Sequence, residues 1–299
     1  MNFRDKIIDN FTQGSVITRL IYINLGLFLL VRLIMAFIVM GGGRPDIILD
    51  WLALPADYPG LITRPWTAIT YMFLHYHFFH ILFNLIALYF FGRLFISYLN
   101  EKRLLAVYVL GGLTGAAAYV FSYNLIDGLD STKASVLGAS AAVYAIMVVI
   151  AVISPRQKVY IPFISSIELR WLVLAFIGID LLSLPVGNNM GGHIAHLGGA
   201  LFGAVYAQQH KKGEDIGAWF NRLLAWLAGL FKSQSHMRVT YKNTNTKRSR
   251  RPETDMEYNA RKKKEQDEIN RILDKVSNSG YDSLTKREKE LLFKNSDKR

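Results

Sequence analysis

The chain has no cysteine among its 299 residues. That excludes a disulfide framework, a thiolate metal site and a cysteine nucleophile. Charge is scarce before about residue 210, where long apolar stretches follow one another. It is concentrated afterwards: Lys211–Arg299 carries 22 Lys/Arg against 13 Asp/Glu, so nine of the net +12 charges lie there. A composition that is 51% hydrophobic yet so unevenly spread points to a membrane-embedded core followed by a polar tail. The N-terminus lacks a cleavable signal pattern. Met1–Gln13 is polar and mixed in charge, and the apolar stretch after it is too long for a signal h-region.

Six apolar segments approach the roughly 20 residues needed to cross a bilayer. They are Val16–Met40, Ala68–Tyr98, Leu104–Tyr123, Ser135–Ile153, Trp171–Leu184 and Gly191–Gln209. All six are expected to be helices, because an isolated strand in lipid leaves its backbone groups unpaired. Basic residues alternate between the connections. Arg4, Lys6 and Arg19, then Lys102 and Arg103, then Arg156, Lys158 and Arg170, then Lys211 and Lys212 mark one side. The other side has only Arg44, Arg64 and Lys133. The positive-inside rule then puts both termini in the cytoplasm, with the chain in the cell (inner) membrane.

That orientation aligns the polar groups. The second, fourth and sixth segments all start on the outer side. His75, His80 and Asn84 fall early in the second, Ser140 early in the fourth and His196 early in the sixth. They are expected at similar depth in the outer part of the membrane. The first connection, Gly41–Thr67, holds Trp51, Tyr58 and Trp66, and its prolines (Pro45, Pro55, Pro59, Pro65) argue against one continuous helix. Gly111 and Gly115, and the stripe Ala195, Gly199, Gly203, Ala207, are small residues that let helix backbones approach closely.

The remainder divides further. Residues 1–15 form a cytosolic N-terminus and 16–209 the six-helix core. Ile216–Phe231 has helical spacing of Trp219, Phe220, Leu223, Leu224, Leu227 and Leu230, with Asn221 and Arg222 opposite. It reads as an interfacial amphipathic helix lying on the bilayer. Residues 233–254 read as a basic, disordered linker. Residues 255–299 read as a small helical cytosolic accessory module, with Gly280 ending one helix and Thr285 with Glu288 opening another. Its basic run Arg261–Lys264 reads as a solvated surface rather than a nucleic-acid site.

The chemistry rests on Gly138-Ala139-Ser140 and Ala195-His196. A serine hydroxyl is a weak nucleophile unless an imidazole accepts its proton. It also needs donors for the oxyanion formed on attack. The Ser140 N–H, near a helix start, is one candidate. His80 and Asn84, four apart on one helical face, are two more. Each has a plainer reading, since serine is common as interhelical glue and the His75, His77, His80 group could hold a metal or carry protons. Asp180, a carboxylate within the fifth segment, could orient a histidine or pair locally.

Gly138-Ala139-Ser140, His80-Ile81-Leu82-Phe83-Asn84 and Ala195-His196-Leu197-Gly198-Gly199 with Gly203 together resemble the rhomboid intramembrane serine proteases. The resemblance covers residues 16–209. It implies an all-α membrane protein, a six-transmembrane helix bundle with a cavity open to the outside. It implies Ser140 as nucleophile and His196 as general base, with His80, Asn84 and the Ser140 backbone in the oxyanion hole. The family dyad works without a carboxylate, which lowers the part given to Asp180. His193 is the competing base, but only His196 fits the family's His-x-x-Gly-x-x-x-Gly, with Gly199 and Gly203.

Two departures stand out. Ala141 replaces the usual glycine after the serine, and Arg64-Pro65-Trp66 stands where the family has Trp-Arg, leaving the loop's anchoring open. The expected activity is endopeptidase cleavage of a transmembrane protein substrate near the outer face, with no cofactor and no metal. The alternative is an inactive rhomboid-like protein that binds membrane clients. A transporter would want broken helices with paired charges, of which there is little sign.

Overall fold

The structure, a computed structural model, describes residues 2–132, 134–161, 165–185, 189–231 and 254–296. The expected linker at 233–254 lies outside the described residues except for Thr254, as do Lys133 and residues 186–188. The chain divides into two compact units, Met1–Ser233 and Gln234–Arg299.

The first unit opens with α1 (Phe3–Thr12) and α2 (Val16–Met40). Ser15 caps α2 by accepting a hydrogen bond from the Thr18 N–H at 3.3 Å. A fragmented outer segment follows: α3 (Ile47–Leu52), β1 (Leu54–Pro55), α4 (Tyr58–Thr63), α5 (Thr67–Thr70) and a 3-10 turn at Tyr71–Phe73. Next come α6 (Phe78–Tyr98), α7 (Glu101–Leu125), β2 (Ser135–Val136) and α8 (Ser140–Ile153). The unit closes with β3 (Lys158–Ile161), β4 (Ser165–Glu168), α9 (Leu169–Ser183), α10 (Met190–Lys211) and α11 (Ala218–Phe231). Two short antiparallel ladders join β1 to β2 and β3 to β4, with Leu54 opposite Val136 and Val159 opposite Ile167.

Among the described residues, α2, α6 and α7 are long and apolar enough to cross a membrane, and α8 is a shorter apolar helix. The side chains on α2 show where that apolarity goes. Leu29, Leu30, Leu33 and Phe37 are exposed, an arrangement suited to lipid and costly in water. By contrast, α8 is the central helix, with ten of its fourteen residues buried against α6, α7, α9 and α10.

The second apolar stretch is not one helix. Its apolarity predicts one helix through Ala68–Tyr98, but the backbone leaves helical form after the 3-10 turn and re-enters it at Phe78. His75 and His77 therefore precede α6, while His80 and Asn84 stand on it. The break lets the Tyr71 carbonyl accept a hydrogen bond from the Gly138 N–H at 2.8 Å. Local apolarity could not reveal that long-range bond. The fourth stretch likewise begins as strand β2 rather than as helix, because Leu54 and Pro55 pair with it.

The first connection holds its shape through side chains bonded to backbone carbonyls. Trp66 Nε1 donates to the Trp51 carbonyl at 2.9 Å, and the two indoles stack 5.8 Å apart. Arg64 donates to the Asp50 carbonyl, and Thr70 Oγ1 to that of Leu52 at 2.8 Å. The reordered Arg64-Pro65-Trp66 thus still anchors the loop.

Close backbone approach sets the centre of the bundle. A Cβ at Gly203 would stand 2.5 Å from the Ala145 carbonyl oxygen, and one at Gly199 would run into that of Ala141. Only glycine lets α10 lie this near α8. Later, α11 buries Phe220 against Ala106 and Leu110 of α7 and leaves Trp219, Trp226 and Leu230 exposed. The second unit is a helical pair, α12 (Asp255–Ser279) and α13 (Lys286–Ser296). Thr254 with Glu257, and Thr285 with Glu288, are reciprocal hydrogen-bonded caps. Ile272 and Leu284 are buried, and Lys275 pairs with Glu288 at 3.0 Å.

Gly199→Ala should destabilise the protein by about 1–3 kcal/mol through overpacking, read as a lower thermal midpoint in detergent. An unchanged midpoint would mean the two helices part freely. In the second unit, the Thr285 N–H beside Glu288, with Lys275 and the Thr285 hydroxyl, holds that carboxyl at about 2 against a usual 4.5. A depressed carboxylate contributes stability above its unfolded value and loses it as pH falls through the folded one. Amide exchange of α13 should therefore be slower in the wild type than in Glu288→Gln at neutral pH. The difference should fade between pH 4.5 and about 2.

Candidate functional site

Ser140 is the first residue of α8, and the turn before it is tightly held. Gly138 has φ +127, a conformation that L side chains rarely adopt. Its N–H is bound by Tyr71, and the next N–H, of Ala139, donates to His75 Nε2 at 3.4 Å. Both anchors come from the non-helical break before α6. Starting a helix here leaves the Ser140 N–H without an intrahelical acceptor.

His196 reaches this serine from α10. Its Nε2 lies 2.7 Å from Ser140 Oγ, across 56 residues of chain. The Tyr144 ring, one turn beyond Ser140, stacks on the imidazole at 4.5 Å between centroids and 15° between planes. On the far side of the ring, His196 Nδ1 lies 3.1 Å from Asp180 Oδ1 of α9. The same oxygen is 2.6 Å from His193 Nδ1. Asp180 is only 3% exposed. With the carboxylate accepting from Nδ1–H, the lone pair of His196 is left on Nε2, facing the hydroxyl.

The structure brings the other sequence candidates to the same place, with one qualification of geometry. His80, Asn84, Ser140 and His196 all line a cavity of about 1090 Å³. The His80 ring lies beside Gly138, since a Cβ there would meet His80 Nε2 at 2.8 Å and Ser140 Oγ at 3.7 Å. Asn84 Nδ2 donates to the His80 carbonyl at 2.9 Å, so one of its two N–H bonds is engaged within its own helix. His77 lines the cavity wall, whereas His75 is fully buried with its ring edge against His80, 5.1 Å between centroids.

Tyr71 and Tyr144 are absent from the sequence candidates, and His75 and Asp180 take parts that the sequence leaves open. His75 and Tyr71 anchor the turn before Ser140, and only the unforeseen break explains them. Tyr144 could have been found, since it stands four residues after Ser140 on the same face of a helix. The sequence gives Asp180 a minor part, yet it touches both His193 and His196 of α10.

One test concerns the turn itself. Gly138→Ala combines a strained φ with a Cβ pressed against His80, and strain of this kind costs about 1–3 kcal/mol. The expected result is a lowered thermal midpoint with displaced His80 ring resonances. Unshifted resonances would show that the turn and His80 are not coupled.

Comparison with known proteins gives two matches along the chain. Residues 63–210 match the rhomboid domain, and residues 253–298 match a family of unknown function, DUF6576. RHOMBOID-like protein 12, mitochondrial, of Arabidopsis thaliana is 32% identical over 157 residues, covering 49% of this chain and 47% of that protein. Presenilin-associated rhomboid-like protein A, mitochondrial, of Danio rerio is 29% identical over 151 residues, 50% of this chain and 38% of that protein. The human presenilin-associated rhomboid-like protein, mitochondrial, is 28% identical over 153 residues, with the same two shares. The chain thus spans half or less of the length of these curated relatives. The break before α6, helix α8 and helix α10 all fall inside the matched domain, and the chain belongs to the rhomboid family.

Proposed function

We propose that this protein is an intramembrane serine endopeptidase that cleaves transmembrane segments of membrane proteins near the outer face. The observation that carries the reading is the 2.7 Å hydrogen bond between Ser140 Oγ and His196 Nε2. In the reaction, Oγ attacks the scissile carbonyl while Nε2 takes its proton. The Ser140 N–H, His80 and Asn84 donate to the oxyanion. The imidazolium then returns the proton to the leaving amine, and water repeats the sequence on the acyl-enzyme. Asp180 holds the His196 tautomer that this needs and stabilises the imidazolium, so the dyad acts with a third, positioning member.

The membrane setting follows from helix length. We read α2, α6, α7, α8, α9 and α10 as six spans, with both termini on the cytoplasmic side of the cell membrane. The distribution of basic residues supports that orientation. With 14 residues, α8 is about 21 Å long, against a hydrocarbon core of about 30 Å. We read the shortfall at its N-terminal end, with Ser140 below the outer surface at the floor of a cavity that water enters from outside. Phe79, Phe83 and Phe90 of α6 line the cavity together with Leu172 and Phe176 of α9. These apolar walls suit a substrate helix arriving sideways from lipid. That helix must unwind locally, since its carbonyls are otherwise hydrogen-bonded, so small or helix-breaking residues are favoured at the cut. In this reading, α11 lies in the cytoplasmic interface and the second unit is an accessory module in the cytosol.

The decisive experiment offers a fluorogenic transmembrane peptide to the purified full chain in detergent. Ser140→Ala and His196→Ala should each lower kcat on the order of 10⁴–10⁶-fold. Equal turnover by Ser140→Ala would sink the protease and leave a client-binding protein. An active His196→Ala would move the base to His193. Asp180→Asn should lower kcat roughly 10–10⁴-fold with KM little changed, because the wrong imidazole tautomer becomes accessible. Full activity in that variant would return the mechanism to an unassisted dyad.

A further inference from the structure

Asp180, His193 and His196 form a cluster whose geometry exceeds what proton transfer requires. One histidine suffices to serve the serine, yet two imidazoles aim the same ring atom, Nδ1, at a single carboxylate oxygen. The distances are 2.6 Å from His193 and 3.1 Å from His196. The three donor atoms lie within 4.8 Å of one another. His193 and His196 are three residues apart on α10, so one helical face presents both. The second carboxylate oxygen, Asp180 Oδ2, is buried and accepts no hydrogen bond of normal geometry among the described residues. The Tyr144 hydroxyl lies near the carboxylate as a further, weaker donor.

We propose that these three side chains form a binding site for a borderline divalent cation of the Zn²⁺ type, and that the cation switches the serine off. Two imidazole nitrogens and one carboxylate oxygen, with water in the fourth position, are a donor set suited to four-coordinate zinc. Ligand bonds of about 2.0–2.1 Å put two donors on a tetrahedral ion roughly 3.3 Å apart. To reach that spacing, the His196–Asp180 separation opens by about 0.2 Å and the His193–Asp180 separation by about 0.7 Å, while the two imidazole donors, within 4.8 Å of each other, settle at the same spacing. The side chains of His193 and His196 remain 18% and 16% exposed, which leaves the ring atoms within reach of solvent ions.

The inhibitory consequence follows from proton bookkeeping and rests on the protease reading above. A neutral imidazole carries one N–H. In the resting arrangement that proton is on Nδ1 of His196 and is donated to Asp180. When the cation takes the Nδ1 lone pair, the Nδ1 proton leaves and one is taken up at Nε2, with no net release. The Nε2 atom then holds a proton and has no lone pair for Ser140 Oγ–H. The nucleophile loses its base while the fold and the cavity persist. The same exchange occurs at His193, whose Nε2 is not the atom that serves Ser140. Asp180 stays a carboxylate throughout, moving from hydrogen-bond acceptor to ligand.

The test uses the full chain purified in detergent without chelator, with Co²⁺ as the spectroscopic probe. The expected result is one equivalent of Co²⁺ with the visible absorption of a four-coordinate ion, displaced by Zn²⁺. His193→Ala should lose that absorption, whereas His210→Ala, at the far end of α10, should keep it. His193→Cys should show a thiolate-to-cobalt charge-transfer band, which a misfolded protein would not. Absence of a wild-type band, its survival in His193→Ala, or no charge-transfer band in His193→Cys overturns the site. Separately, Zn²⁺ should abolish peptide cleavage and EDTA should restore it. Cleavage that persists with the site filled overturns the switch. A protein that binds Co²⁺ as described yet cleaves nothing in metal-free buffer refutes the protease and leaves the metal site standing.

Discussion

The distance between two helix backbones governs this structure. Helices α8 and α10 meet at Gly199 and Gly203, where any side chain would strike the carbonyls of Ala141 and Ala145. Van der Waals contact at that range replaces the hydrophobic drive that lipid cannot supply between helices. It also sets the chemistry. Ser140 begins one helix, His196 stands one turn before Gly199 on the other, and the 2.7 Å bond between them exists only at this spacing. The same small-residue seam continues into α7, where Gly111 and Gly115 admit the methyl groups of Ala145 and Ala141. Thus α8 is clasped from two sides by glycine-lined helices, and its serine has little freedom to drift.

Polar groups inside an apolar bundle are costly unless partnered, and the partners here form one connected chain. Tyr71 and His75 bind the backbone just before Ser140. Ser140 binds His196, and His196 binds Asp180, which also binds His193. Each link fixes the orientation of the next. A deeper pair, Asn24 with the Tyr108 hydroxyl, and Tyr108 with the Met72 carbonyl, ties α2 and α7 to the 3-10 turn. The break before α6 is therefore held at Tyr71, Met72 and His75. Its loss of helical hydrogen bonds is offset by bonds that assemble the site.

Outside the bundle, the chain changes its physical strategy. The second unit buries few apolar side chains, Ile272 and Leu284 among them, and relies on two capping boxes and the Lys275–Glu288 pair. These are local interactions, readable from residues three or four apart. The match of this stretch to a separate family of unknown function agrees with a unit that is built differently from the bundle.

Much of the helical core was legible because lipid forces each span to satisfy its own backbone, so apolar length alone marks α2, α6 and α7. Ser140, His196, His80 and Asn84 were legible as candidates because few residue types could supply a nucleophile, a base or an oxyanion donor, and all four line one cavity. The break at residues 74–77 was not, since an apolar run looks the same whether its carbonyls bond within the helix or to Gly138. Nor was the part played by Asp180. A carboxylate in a span announces that it has a partner, but it does not say which. Sequence by itself determined which segments could be helices and which side chains could do chemistry. Tertiary structure alone decided which of them meet, because those hydrogen bonds join residues 13 to 64 positions apart and depend on how closely the helices pack.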